Sequence, residues 1–200
     1  MTTNKYLWEK YLNLEKDFIV AKRYVDFDAS FFNTTSDFFV NEITLLGSLL
    51  ETALKHLAKL KNPSCSVGNF GEIKGEILSS FPRIVSFETQ MIGTNTAFKP
   101  FDGWDSGNLN WWSIYTDTKH GDDRHANMET ALMMLSAFEL VLFIIHAEDI
   151  KNGRCPSVNN DNSNVYYSLS EMPLLLRTKL SHGQMMGSGD YYFYFPVSQY

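Results

Sequence analysis

The sequence predicts a mostly α fold, an up-and-down bundle of four to five helices with a small extended or β addition. Three observations predict it. Long stretches repeat apolar residues at helical spacing, Pro63, Pro82 and Gly121 stand where such stretches end, and short strand-like patterns are confined to residues 83–91 and 191–197. At 200 residues the chain is the size of one domain, and 1–200 reads as a single domain whose segment 153–200 is a less regular C-terminal extension.

The elements follow in order. Residues 5–24 space Leu7, Tyr11, Leu14, Phe18 and Val20 or Ala21 as a helix does, with Glu9, Lys10, Glu15 and Lys16 interleaved. Residues 26–30 break it. Thr34, Thr35, Ser36 and Asp37 then offer N-caps for a long helix carrying Phe38, Phe39, Ile43, Leu46, Leu50, Leu54 and Leu57, which stops near Asn62 because Pro63 lacks an amide proton. A third helix fits 70–81 and is stopped by Pro82. Residues 83–91 suit an extended arm as well as a helix, and 93–107 is a loop by its Gly, Pro and Asp content. A fourth helix runs from 106 or 108 to about His120, with Gly121 as its C-terminal stop.

The most secure element is the helix from 124 or 126 to 150, with Met128, Leu132, Leu135, Phe138, Leu142 and Ile145 on one stripe and more apolar residues around it. A helix apolar on most sides belongs at the centre of the fold. Its greasiest part, 131–147, is interrupted by Ser136 and Glu139, so it reads as a buried helix and not as a membrane span. Residues 152–164 form an exposed loop, 170–180 a short helix opened at Pro173, and 191–197 a terminal strand.

Composition narrows the function classes. A content of 44% hydrophobic, 14% aromatic and 20% charged residues excludes a disordered or fibrous chain. The formal charge of −6 means that any nucleic acid must be met by a local basic patch. Cys65 and Cys155 form no Cys-x-x-Cys pair, and residues 1–5 lead directly into charged sequence without a leader-like apolar run, so a reduced, cytoplasmic setting is expected, with no membrane partner. Phosphate-loop, dinucleotide-binding, nucleophile-elbow and zincin signatures are missing, and no cofactor is indicated. Gly183, Gly187 and Gly189 read as a plain turn.

One segment, 104–125, is more informative: Trp104, Trp111 and Trp112 crowd into nine positions, and Lys119, His120, Arg124 and His125 into seven. Such a cluster puts groups that titrate near neutrality beside fixed cations, a set suited to handling phosphate. The same pattern also serves plain structure, because cations complement a helix C-terminus and rings four apart pack a core. His120, Asp122, Asp123 and His125 have metal-donor atoms but no spacing that gathers them on one face, so no metal is assigned. His56 and His146 sit in amphipathic or apolar helix and read as core or surface-edge histidines. The tail 191–195 reads as a closing strand.

The stretch Trp111-Trp112-Ser113-Ile114-Tyr115-Thr116-Asp117-Thr118-Lys119-His120, followed by Arg124, resembles the Abi-like, HEPN-related helical proteins of bacteria. In these a Trp-Trp-x-x-Tyr-Asn-x-x-Lys-His-x-x-Arg segment precedes a long apolar helix. The likeness extends more loosely to 14–18, 23–25, 32–34, Pro100, Phe101 and Trp104. What the resemblance implies is a helical bundle, a homodimer, and membership of a superfamily rich in phage-defence and toxin ribonucleases that cut RNA without metal. In its active members an Arg, usually followed by a polar residue, precedes a His with four to six residues between them. Here His120 matches the His, while Tyr115 and Thr116 replace the Arg and its neighbour. The implied catalytic set is then His120 with Lys119 and Arg124, and the implied substrate contacts are Tyr115, Thr116 and His125. The 2′-hydroxyl of RNA would attack the adjacent phosphate while His120 moves protons and the cations hold the anionic transition state. A literal Arg-x4-His occurs at Arg177 and His182, outside the resembling segment and common enough by chance to carry little weight. The alternative reading is a catalytically silent helical module that binds a protein partner or itself, with the Trp-rich segment as packing.

Overall fold

The protein is described here by a computed structural model covering residues 3–153, 164–169, 173–178, 182–185 and 191–196. The fold is mostly α with a small β addition. Five α-helices, α1 (Thr3–Ala21), α2 (Asp37–Lys61), α3 (Phe70–Ser80), α4 (Asn110–Lys119) and α5 (Met128–Lys151), are the helices of the described residues.

Local chemistry sets the helix ends. The Ser36 hydroxyl accepts from the amide of Phe39, so Ser36 is the N-cap of α2 among the candidates, and Asn62 ends it before Pro63. Asn69 caps α3 in the same way, accepting from Glu72 at 3.0 Å. The Glu72 carboxylate in turn reaches back to the Gly68 amide at 2.8 Å. Helix α3 stops at Phe81 because Pro82 follows, and residues Pro82–Ser86 form a 3-10 turn where sequence left helix and strand open. The Asn127 side chain accepts from the Thr130 amide at 2.9 Å and opens α5.

Packing places α5 at the centre. Leu132, Leu135, Phe138, Leu142 and Ile145 are wholly buried, and so are Met134, Val141 and Ile144 on its other sides. By length and composition, Met128–Asp149 is the one described helix able to cross a membrane, but 94% of its most apolar window lies inside the protein. The expectation of a buried central helix therefore holds. Against it, α1 buries Leu7, Trp8, Tyr11, Leu14 and Phe18, while Val20, offered as part of the same apolar face, is 48% exposed. Helix α2 buries Phe39, Ile43, Leu46, Leu50, Leu54 and Leu57, and Gly47 lets the ring of Tyr115 on α4 sit directly on its backbone.

Two antiparallel sheets complete the structure. In the first, β1 (Thr89–Met91) lies between β2 (Ala97–Phe98) and β4 (Leu176–Thr178), with Gln90 opposite both Ala97 and Arg177. Gly93, at φ +79°, turns β1 towards β2 inside what the sequence presents as a loop. The second sheet has the order β3 (Asn164–Leu169), β6 (Tyr191–Pro196), β5 (His182–Met185). Strand β6 is the terminal strand foreseen at 191–197, whereas β3 and β5 are additions. The short helix expected over 170–180 is corrected: within its described part, 173–178, Leu176–Thr178 is a strand, which pairs with β1 on one edge and donates to buried carboxylates on the other. The ends of that expected helix, most of the 152–164 loop and the turn glycines Gly187 and Gly189 lie outside the described residues.

Two of the helical glycines, Gly47 and Gly75, separate packing from propensity. A methyl group at Gly47 would overlap the Tyr115 ring, whereas one at Gly75 in α3 would meet no atom within 4 Å. Gly47→Ala is expected to lower unfolding free energy by about 1–3 kcal/mol through overpacking. Gly75→Ala is expected to raise it by about 0.5–1 kcal/mol through helix propensity. Urea titration of both variants checks the pair; equal effects of one sign would refute the close contact of α2 and α4.

Candidate functional site

The segment singled out by sequence folds into a packed aromatic base and an exposed basic turn. Trp104 is fully buried and Trp111 nearly so, and the Trp111 indole N–H donates to the Pro100 carbonyl at 2.7 Å. Trp112 stacks on Phe70 of α3 with ring centroids 3.6 Å apart and planes inclined by 7°. Tyr115, one turn after Trp111, is 3% exposed and rests on Gly47. These rings anchor α4 to α2 and α3, so Tyr115 serves the core and presents no open face to a substrate. Thr116 is half-buried, and its hydroxyl donates to the Trp112 carbonyl at 2.9 Å.

Helix α4 then ends in a Schellman motif. The amide of Asp122 donates to the Asp117 carbonyl at 2.9 Å, and that of Gly121 to Thr118 at 3.0 Å, with Gly121 at φ +90°. This is the stop expected at Gly121, and it makes His120 the C-cap residue. Lys119, His120, Arg124 and His125 are all exposed around this turn. The Lys119 ammonium lies 5.6 Å from the centroid of the Tyr115 ring. Arg124 is engaged by a carboxylate: its Nε and Nη2 donate to the two oxygens of Asp122 at 2.8 and 2.6 Å. That bidentate partner holds the Asp122 carboxyl down at about 2 and pushes the Arg124 guanidinium up, with Asp117 adding to the field. Lys119 and Arg124 thus share the segment with the carboxylates of Asp117, Asp122 and Asp123.

Two cavities of the described residues lie away from this turn. One cavity, of about 470 Å³, lies on the other side of Trp111, between Glu88, Lys99, Asp102 and Glu129. A second, of about 570 Å³, lies where α1 ends and α2 begins. No three His, Cys, Asp or Glu side chains of the described residues group as a metal site. Arg177 and His182 belong to different sheets, Arg177 to β4 and His182 to β5. His146 is buried edge-on against Trp8, with centroids 5.8 Å apart, and burial pushes its imidazole down to about 3. His56 is half-buried.

Sequence reasoning missed a set of buried acids. Glu15, one of the charges interleaved along the first helix, is 1% exposed, and Glu139 is fully buried. Glu15 Oε2 accepts from the Leu174 amide at 2.8 Å, and Oε1 accepts from Leu175 at 2.8 Å and Leu176 at 3.2 Å. The Tyr11 hydroxyl adds a fourth bond at 3.1 Å. Glu139 Oε1 accepts from the Thr178 amide at 3.2 Å, while the Thr89 hydroxyl lies close to the carboxylate without closing a bond of full geometry. Burial raises both carboxyls, and for Glu15 the amides pull the other way. The pair works as a clamp on the outer edge of β4. Only the apolar neighbourhood of Glu139 and the helical register of Glu15 beside Tyr11 hinted at it.

Comparison with known protein families, with curated proteins and with solved structures finds no match to this chain. The class it defines is therefore stated from its own coordinates: a helical bundle with a β addition clamped by buried carboxylates.

Glu15→Gln, which swaps an acceptor oxygen for an amide donor, is expected to cost about 1–3 kcal/mol. The loss is local first: amides of 174–176 exchange faster with solvent than those of α2 and α5, by hydrogen exchange. Uniform acceleration throughout the chain would refute the clamp as the link between β4 and the helices.

Proposed function

We propose that this chain is a HEPN-like helical module that acts by binding a protein partner or a second copy of itself, without cutting RNA. The observation that carries this reading is the bidentate Arg124–Asp122 pair on an open turn. A phosphate-cleaving centre needs uncompensated donors preorganised around the developing charge and sheltered from water. Here one of the two cations is answered by a carboxylate, Asp117 and Asp123 stand beside it, His120 is exposed, and Tyr115 is packed in the core. The Trp-rich segment that carries the family resemblance is accounted for by packing.

A second reading, RNA binding with metal-independent cleavage by Lys119, His120 and Arg124, draws support from the common exposure of these residues with His125 on a single turn. A homodimer that set two such turns face to face would give this reading the shelter that one chain lacks.

RNA incubated with the purified protein in EDTA separates the two. The binding-module reading expects intact RNA with the native protein and with His120→Ala alike. Degradation by native protein, lost in a His120→Ala variant that keeps its thermal melt, would overturn it. Light scattering on the same sample reports whether a dimer forms.

A further inference from the structure

The cavity at the junction of α1 and α2 joins apolar walls to two acidic side chains. About 570 Å³ in volume, it is within the roughly 300–1,000 Å³ range of small-molecule sites. Val20, Ala21, Val25, Phe38 and Phe39 form apolar walls, and Tyr24 stands at the rim, 86% exposed. Two carboxylates line it, Asp17 on α1 and Glu42 on α2, and among the described residues no Lys, Arg or His does. Glu42 is only 8% exposed, and its Oε2 accepts no hydrogen bond from the described residues. Glu15 and Glu139, the other buried glutamates compared above, each accept from backbone amides; Glu42 has an apolar wall and a like charge beside it.

A buried carboxylate without a donor is costly, and the group that removes the cost is a cation carrying its own hydrogen-bond donors. Aromatic faces in the same cavity suit the same charge. We propose that this cavity is a binding site for a small organic ammonium ion, its charged head between Glu42 and Asp17 and its apolar body against Phe38, Phe39 and Val20. An anion is disfavoured by both carboxylates, and a neutral ligand leaves their charge unanswered. The site uses no residue of the basic turn, so it stands whether or not that turn meets RNA.

Protonation gives the site a signature. Burial, and then Asp17, push the Glu42 carboxyl up to about 7. The other titratable groups facing the cavity among the described residues are Asp17 on α1 and Tyr24 after it. An ammonium ligand prefers ionised Glu42, so affinity rises with pH, by roughly tenfold between pH 6 and pH 8 for a group of that pKa. The folding sign is opposite. The folded state holds this proton more tightly than the unfolded chain, so its contribution to stability is full below about 4.5 and is lost as pH rises through about 7.

The probe is 2-phenylethylammonium, with 2-phenylethanol as neutral and 3-phenylpropanoate as anionic isostere, titrated by calorimetry and by amide chemical shifts. Expected are saturable binding of the ammonium, shifts centred on residues 17–25 and 36–42, and at least tenfold weaker binding of both isosteres. Glu42→Gln is expected to abolish the pH dependence and weaken the ammonium at least tenfold. Its melting temperature at pH 8 should equal or exceed that of the native protein, which separates loss of the site from loss of the fold. Asp17→Asn, at the exposed rim, weakens binding a few-fold. The proposal is overturned by failure to saturate at about 10 mM, weaker than millimolar affinity, by equal binding of the neutral isostere, or by a folded Glu42→Gln that binds as the native protein does.

Discussion

The architecture depends on one constraint: α5 has no polar face. A helix buried on all sides gains about 25 cal/mol for each Å² of apolar surface removed from water, but only where other elements cover every side. Helices α1, α2 and α4 supply most of that cover. The polar residues inside α5 decide what completes it. Ser136 satisfies itself by donating to the Leu132 carbonyl at 2.8 Å, so it asks nothing of its surroundings. Glu139 has no acceptor-side solution within its own helix and needs an external N–H, which Thr178 of β4 provides. One glutamate in an apolar run thereby specifies that a strand edge, and not another apolar helix, packs there.

The clamp also resolves a problem of the small sheet. An edge strand exposes unpaired amides that invite pairing with other chains. Those of Leu176 and Thr178 are turned inward to Glu15 and Glu139. The carboxylates and the edge satisfy each other, and neither would be stable in this position alone. Because both acids are buried and close enough to oppose one another's ionisation, they add specificity for this docking more than net stability.

The helices were legible because their signals are local: the N-cap at Ser36, the proline stops at Pro63 and Pro82, and the left-handed glycine at Gly121 each act within a few residues. The sheet was not legible, since β4 becomes a strand through partners 39 and 161 residues away in sequence, Glu139 and Glu15. Alternation over three residues cannot encode that. The exposed basic cluster was readable as a cluster, but its electrostatics depend on the Asp122 side chain folding back on Arg124, a choice of rotamer with no trace in residue spacing. Glu15 shows the reverse failure: by spacing it is one of the charges interleaved along the first helix, while the Trp8 and Leu12 flanks widen the buried stripe and carry it inside.

Glu15 and Glu42 together set the terms on which a buried acid belongs to this fold. Both lie on helices facing the interior, and both are pushed up by burial. Glu15 is matched by three amides and a hydroxyl, so its presence follows from structure alone. Glu42 is matched by nothing comparable, and an apolar side chain of similar size at that place would relieve both the desolvation and the repulsion from Asp17. Stability therefore argues against a glutamate there, and a residue that works against the fold at the wall of a cavity is accounted for by what the cavity receives. Thr34, on the cavity wall, accepts from the Met128 amide at 2.9 Å, and Phe32 accepts from Glu129 at 3.1 Å, so the first turn of α5, directly after the basic turn, hangs from the same loop that closes the cavity.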